Sequence, residues 1–110
     1  MEIIINVATD FSKTPGGRHI SEGPFSGEDF RDKILSPKYQ QAKKENKKLR
    51  VILDGGYGYA PSFLEEAFGG LARITKDKQM LDTIIIVSDE EPELINDINK
   101  YIRESLEASD

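Results

Sequence analysis

The sequence has no cysteine, no tryptophan, one histidine, and no apolar run near the ~20 residues that span a bilayer. Without cysteine there is no disulfide, no thiolate zinc site, no iron–sulfur ligation and no cysteine nucleophile, a usage that fits a reducing compartment. A lone histidine, His19 in Pro15-Gly16-Gly17-Arg18-His19, lacks a spaced carboxylate and nucleophile to make it a catalytic base, and it reads as a solvated loop residue. Fifteen Lys and Arg against twenty Asp and Glu leave a net charge of −5, which opposes nonspecific attraction to nucleic acid or anionic membranes. Neither is expected as a partner. The first residues, Met1 to Asn6, carry no positive region ahead of an apolar stretch, so no leader and a cytoplasmic location are the expectation.

What is present suits one globular domain over residues 1–110. A chain of this length buries about 65% of its unfolded surface, enough for one core without metal or disulfide. Three short β-branched runs, Ile3 to Val7, Leu49 to Leu53 and Thr83 to Val87, read as strands; their continuous hydrophobicity predicts burial on both faces. The first helix is predicted to begin at Ser26, with Glu28 and Asp29 at the positive end of its dipole and Phe25 and Phe30 spaced as a hydrophobic staple. Ser36-Pro37 should end or bend it. A second helix is predicted from Ser62, where Ser62 and Glu65 have capping-box spacing, and a third from about Glu91 to Leu106, with Leu94, Ile98, Ile102 and Leu106 on one stripe. Gly69 and Gly70 inside the second helix cost about 1 kcal/mol each and predict close approach of another element or of a partner backbone. With a further short strand near Arg18 to Ile20, the expectation is an α/β sandwich: a mixed, mostly parallel sheet of about four strands packed against about three helices.

Chemistry-bearing residues concentrate after the second strand. Asp54, Gly55, Gly56, Tyr57, Gly58, Tyr59, Ala60 and Pro61 join a strand's carboxyl end to a helix start, where ligands of open α/β sheets favour binding. The P-loop Lys-Ser/Thr is absent and the glycine spacing is not Gly-x-Gly-x-x-Gly. Three readings stand: a tight structural turn, a partner surface using Tyr57 and Tyr59 as rigid contact area, and an anion or nucleotide site. Arg18, beside flexible glycines, suits either an anion contact or a structural ion pair. The acidic groups Glu28-Asp29, Glu65-Glu66 and Asp89-Glu90-Glu91 lie near predicted helix starts, where dipole complementarity accounts for them. Lys43, Lys44, Lys47, Lys48 and Arg50 form the one basic cluster; its like charges four apart disfavour a helix and suggest a solvated connection.

The run Val51-Ile52-Leu53-Asp54, a glycine-rich turn and Ser62-Phe63-Leu64-Glu65-Glu66-Ala67-Phe68-Gly69-Gly70-Leu71 resembles the STAS-like family of unknown function, relatives of the STAS domains of anti-sigma-factor antagonists. Gly17-Arg18-His19-Ile20 and Phe25 to Arg31 match the same family. The resemblance implies a STAS-like fold and a non-catalytic regulatory module that binds a protein partner, with a histidine-kinase-like ATPase as the implied partner. It also implies Ser62 as a phosphorylation site, since antagonist domains carry a modified serine at the start of this helix. The partner surface is then Asp54 to Tyr59 with Ser62 and Glu65, with no cofactor and no metal. A small-ligand sensor using the same loop is the alternative, and an enzyme built on Asp54 and Glu65 a further one. Nothing in the spacing fixes an oligomeric state.

Overall fold

The computed structural model describes residues 2–108. Strand β1 (Glu2–Asn6) runs into a single helical turn α1 (Val7–Asp10), where the Asn6 side chain accepts the Thr9 N–H. A loop with a 3-10 turn at Ile20–Glu22 leads to helix α2 (27–45), built from Gly27–Phe30, a π segment Arg31–Leu35 and Ser36–Glu45. Strand β2 (Lys48–Ile52) follows, then helix α3 (61–75), built from Pro61–Leu64, a π segment Glu65–Gly69 and Gly70–Thr75. The short helix α4 (Met80–Thr83) feeds strand β3 (Ile84–Val87), and helix α5 (Glu93–Ala108) completes the described chain. Among the described residues, no helix is long and apolar enough to cross a membrane.

The three strands lie in the order β1-β2-β3, and both pairings are parallel. Right-handed crossovers taken twice in one direction put both connections on the same face of the sheet. Helix α5 packs on α3, so it joins that side. The inner face therefore carries buried Ile5, Leu49, Val51, Ile84 and Ile86 against Phe30, Leu35, Phe63, Phe68, Ile98 and Ile102. The register aligns Ile4, Arg50 and Ile85 on the outer face, as it does Ile52 and Val87. There Ile4 is 56% exposed, and Arg50, Ile52, Ile85 and Val87 are half-buried. The predicted burial on both faces is thus corrected to one: the alternation is real, but isoleucines on both faces hide it in the sequence.

Other boundaries differ for local reasons. The strand predicted at Arg18 to Ile20 does not form; the N–H groups of Arg18 and His19 both donate to the Glu22 carboxylate, at 2.8 and 2.7 Å, and close the 3-10 turn instead. Pro37 neither ends nor breaks α2. The turn before it is π-helical, with the Ser36 N–H reaching back to the Arg31 carbonyl, and a wider turn absorbs the ring that an α turn would exclude. The polar segment after Pro37 stays helical to Glu45, with Lys43 and Lys44 at the favourable end of the dipole. Asn46 stops it in the left-handed conformation, φ 55°.

Leu49→Ala on the inner face should cost about 2–4 kcal/mol in urea unfolding, and Ile4→Ala on the outer face less than about 1 kcal/mol. Equal losses would mean that the outer face is covered.

Candidate functional site

The site is assembled from two loops and two helix starts. Ser26 opens α2, its hydroxyl accepting the Asp29 N–H at 3.0 Å. The next two free donors, the Gly27 and Glu28 N–H groups, reach the carbonyls of Gly17 and Arg18 at 2.8 and 3.0 Å. The loop is thus sewn to the start of α2. Phe11 and Phe25 stack edge-on at 5.6 Å across its base, and Phe11 continues to Phe30 at 5.3 Å. Gly27 also lies where α2 meets α3: a Cβ there would stand 2.4 Å from the Phe63 carbonyl, so only glycine permits the approach.

This sewing directs Arg18 onto α3. Its guanidinium pairs with Glu65 and, at 3.3 Å, with Glu66. Arg31 of α2 pairs with Glu66 from the other side, and Arg73 holds Glu65 at 2.6 Å while donating to Ser105 of α5 at 2.9 Å. Three arginines and two glutamates therefore join the loop to all three long helices. Gly69 and Gly70 make the room. A Cβ at Gly69 would lie 2.7 Å from the Glu65 carboxylate and 3.0 Å from the Ser105 hydroxyl, and one at Gly70 would lie 2.7 Å from the Arg31 guanidinium. The close approach foreseen from the glycine pair is thus made by charged side chains. Burial by itself would raise the Glu65 carboxyl, but hydrogen bonds from Arg73 and Arg18 outweigh it and hold Glu65 below the usual carboxylate range.

Ser62 does not cap α3. Ala60 occupies the cap position and Pro61 the first turn, leaving half-buried Ser62 one residue inside the helix, so the predicted capping box is not made. Proline ahead of Ser62 explains the shift: its fixed φ suits the first helical position and its missing N–H costs nothing there, so the helix starts one residue before Ser62. The Phe63 and Leu64 N–H groups already donate to the Ala60 carbonyl at 3.0 and 3.3 Å.

The loop after β2 is tethered to two other segments of the chain. The Asp54 carboxylate accepts the Asp89 and Glu90 N–H groups, at 3.1 and 2.9 Å, and Glu90 returns the contact by accepting the Gly55 N–H at 2.8 Å. The Tyr57 N–H donates to the Lys13 carbonyl at 2.8 Å. Gly55 and Gly58, at φ 93° and 129°, turn the chain where other residues would be strained. The two tyrosines then separate. Tyr59 folds inward, donating to the Leu53 carbonyl at 2.9 Å with its ring 5.9 Å from Phe63, and burial together with the charges of Asp54, Glu91 and Glu90 pushes its hydroxyl up to about 12. Tyr57 stays 82% exposed.

The structure thus places Asp54, Gly55, Gly56, Tyr57 and Gly58 on one tethered loop with Tyr59 folded inward from it, and sets Arg18, Glu65 and Ser62 around the start of α3. Asp54 and Glu65 make separate sets of bonds, one to backbone N–H groups and one to arginines. His19 stands 3.5 Å from Glu28 at the solvent edge. Among the described residues, no group of three or more His, Cys, Asp and Glu side chains is arranged to hold a metal. Arg31 and Arg73 were not singled out from the sequence; the Gly69-Gly70 pair was the signal pointing toward them. A family model described as a STAS-like domain of unknown function matches residues 26–94. No curated protein and no solved structure matches the chain.

Because the folded-state Glu65 carboxyl is depressed, its stabilising contribution is complete above its unfolded value, about 4.3, and is lost as the pH falls toward the folded one. Glu65→Gln should therefore lower the melting temperature at pH 7 and flatten its fall below about pH 4.3. A variant whose acid profile parallels the parent's would remove Glu65 from the network's energetics.

Proposed function

Since the chain belongs to the family of STAS-like domains of unknown function, we propose that it is a non-catalytic regulatory module that binds a protein partner through the loop after β2. The observation that carries this reading is Tyr57: a large aromatic side chain, 82% exposed, on a loop tethered to two other segments of the chain. A rigid aromatic that contributes little to its own fold offers contact area at small entropic cost on binding. A histidine-kinase-like ATPase is the partner class that the family resemblance suggests. The surface comprises Asp54, Gly55, Gly56, Tyr57 and Gly58, with Tyr59 beneath it as support.

Ser62 supplies the regulation in this reading. Glu65 and Glu66 follow it by three and four residues on the same helix, the spacing at which side chains become neighbours. A phosphate on Ser62 would repel both carboxylates and compete for Arg18, which now pairs with them. Release of Arg18 would loosen the loop sewn to α2. The loop after β2 suits a small anion less well, because its Gly55 and Tyr57 N–H groups are already donated within the chain and Pro61 has none.

The test is affinity capture of the tagged protein from its own cell extract, reading co-purified proteins and Ser62 phosphorylation by mass spectrometry. Tyr57→Ala should abolish recovery of the partner and leave the melting temperature within about 1 °C, as expected of an exposed side chain. Equal recovery by parent and variant would remove this surface from the account.

A further inference from the structure

At the opposite end of the sheet, where β2 and β3 begin, the surface holds an open pocket of about 520 Å³. Its wall carries Lys43, Lys47 and Lys48, the side-chain amides of Asn46 and Gln79, and one acid, Asp82. The placement follows from the chain path. Helix α2 ends with Lys43 in its last turn, Asn46 reverses the backbone in the left-handed conformation, and Lys47 and Lys48 enter β2 beside the helix they have just left. Gln79 arrives with the segment that precedes α4. Three cations thus converge from a helix end, a turn and a strand start, in a chain whose net charge is −5.

The lysines are positioned by their own chain. Lys43 reaches Gln79 at 3.0 Å and Asp77 at 3.2 Å, Lys47 reaches Glu45 at 2.7 Å, and Lys48 donates to the Asp82 carbonyl. An ammonium has three N–H donors, and these contacts use one or two of each. We propose that this pocket is a binding site for a small, multiply charged oxyanion of the di- or triphosphate class. Compact lysine point charges suit clustered phosphate oxygens, whereas a single planar carboxylate is better met by an arginine fork, and Arg50 nearby is committed to Glu2 at 2.8 and 2.9 Å. The volume falls within the ~300–1,000 Å³ of small-molecule sites. The pocket and the Tyr57 surface lie at opposite ends of β2, so the site does not rest on the reading of that loop and leaves it accessible.

The test is calorimetric titration of the full chain with inorganic triphosphate at fixed ionic strength, with thermal unfolding in parallel. Saturable one-site binding is expected, with an unfolding free energy that rises by RT ln(1 + [L]/Kd) and a melting temperature that rises with it. Lys47→Gln with Lys48→Gln should weaken binding about tenfold or more, and so should Lys43→Gln with Lys47→Gln; the charge-matched control Lys38→Gln with Lys100→Gln should leave it unchanged. The proposal is overturned by absence of saturable binding, by equal weakening in pocket and control variants, or by tighter binding of single-stranded RNA than of triphosphate, which would make the cluster a nucleic-acid face.

Discussion

A parallel sheet whose strands follow one another without reversal must carry its connections on one side, and that constraint governs this protein. Helices α2, α3 and α5 share one face of a three-stranded sheet, so they pack on one another as well as on the strands. Helix α3 lies at the centre of that crowd. Its contact with α2 requires glycine at position 27, where a Cβ would meet the Phe63 backbone carbonyl, and glycine at 69 and 70 leaves room for the side-chain ends of Glu65, Ser105 and Arg31. In this layer the charged groups range from buried Arg31 to exposed Arg73, and both carboxylates of the Glu65-Glu66 pair meet arginines. A half-buried network of this kind specifies one arrangement more than it adds net stability, since desolvation offsets much of the ionic attraction.

The same constraint removes the crevice on which a ligand site after β2 would have relied. Open α/β sheets bind ligands where the strand order reverses, and here it does not reverse. What stands beyond the carboxyl ends of β2 and β3 is instead a hydrogen-bonded acidic group, Asp54, Asp89 and Glu90, on loops that also carry an exposed tyrosine. The amino ends carry Lys47 and Lys48.

Much of this architecture was legible in the sequence where one cause dominates. The β-branched runs marked the strands to within about a residue, Ser26 marked the start of α2, and the stripe from Leu94 to Leu106 marked α5. Misreadings arose where two causes compete. Pro37 signals a helix stop, but a π turn relieves its clash; Ser62 and Glu65 have capping-box spacing, but Pro61 claims the first turn and Arg18 and Arg73 claim Glu65. Isoleucine on both faces erased the alternation that would have announced an open side. In the site, Tyr57 and Tyr59 are two residues apart and indistinguishable by type, and only the fold sends one inward. The partners of Arg18 lie in a helix far along the chain, beyond the reach of local pattern.

The register between β1 and β2 has a bearing on how the chain is made. Glu2 pairs opposite Lys48 and Asn6 opposite Ile52, and among the described residues no other strand neighbours β1. During synthesis at ~5–20 residues per second, the isoleucine-rich first strand leaves the ribosome and waits a few seconds before its only partner is made. No hairpin can shelter it, since both pairings are parallel. Through that interval Ile3, Ile4 and Ile5 have no strand to pair with, so the first strand is settled only by a contact about forty-five residues away in sequence.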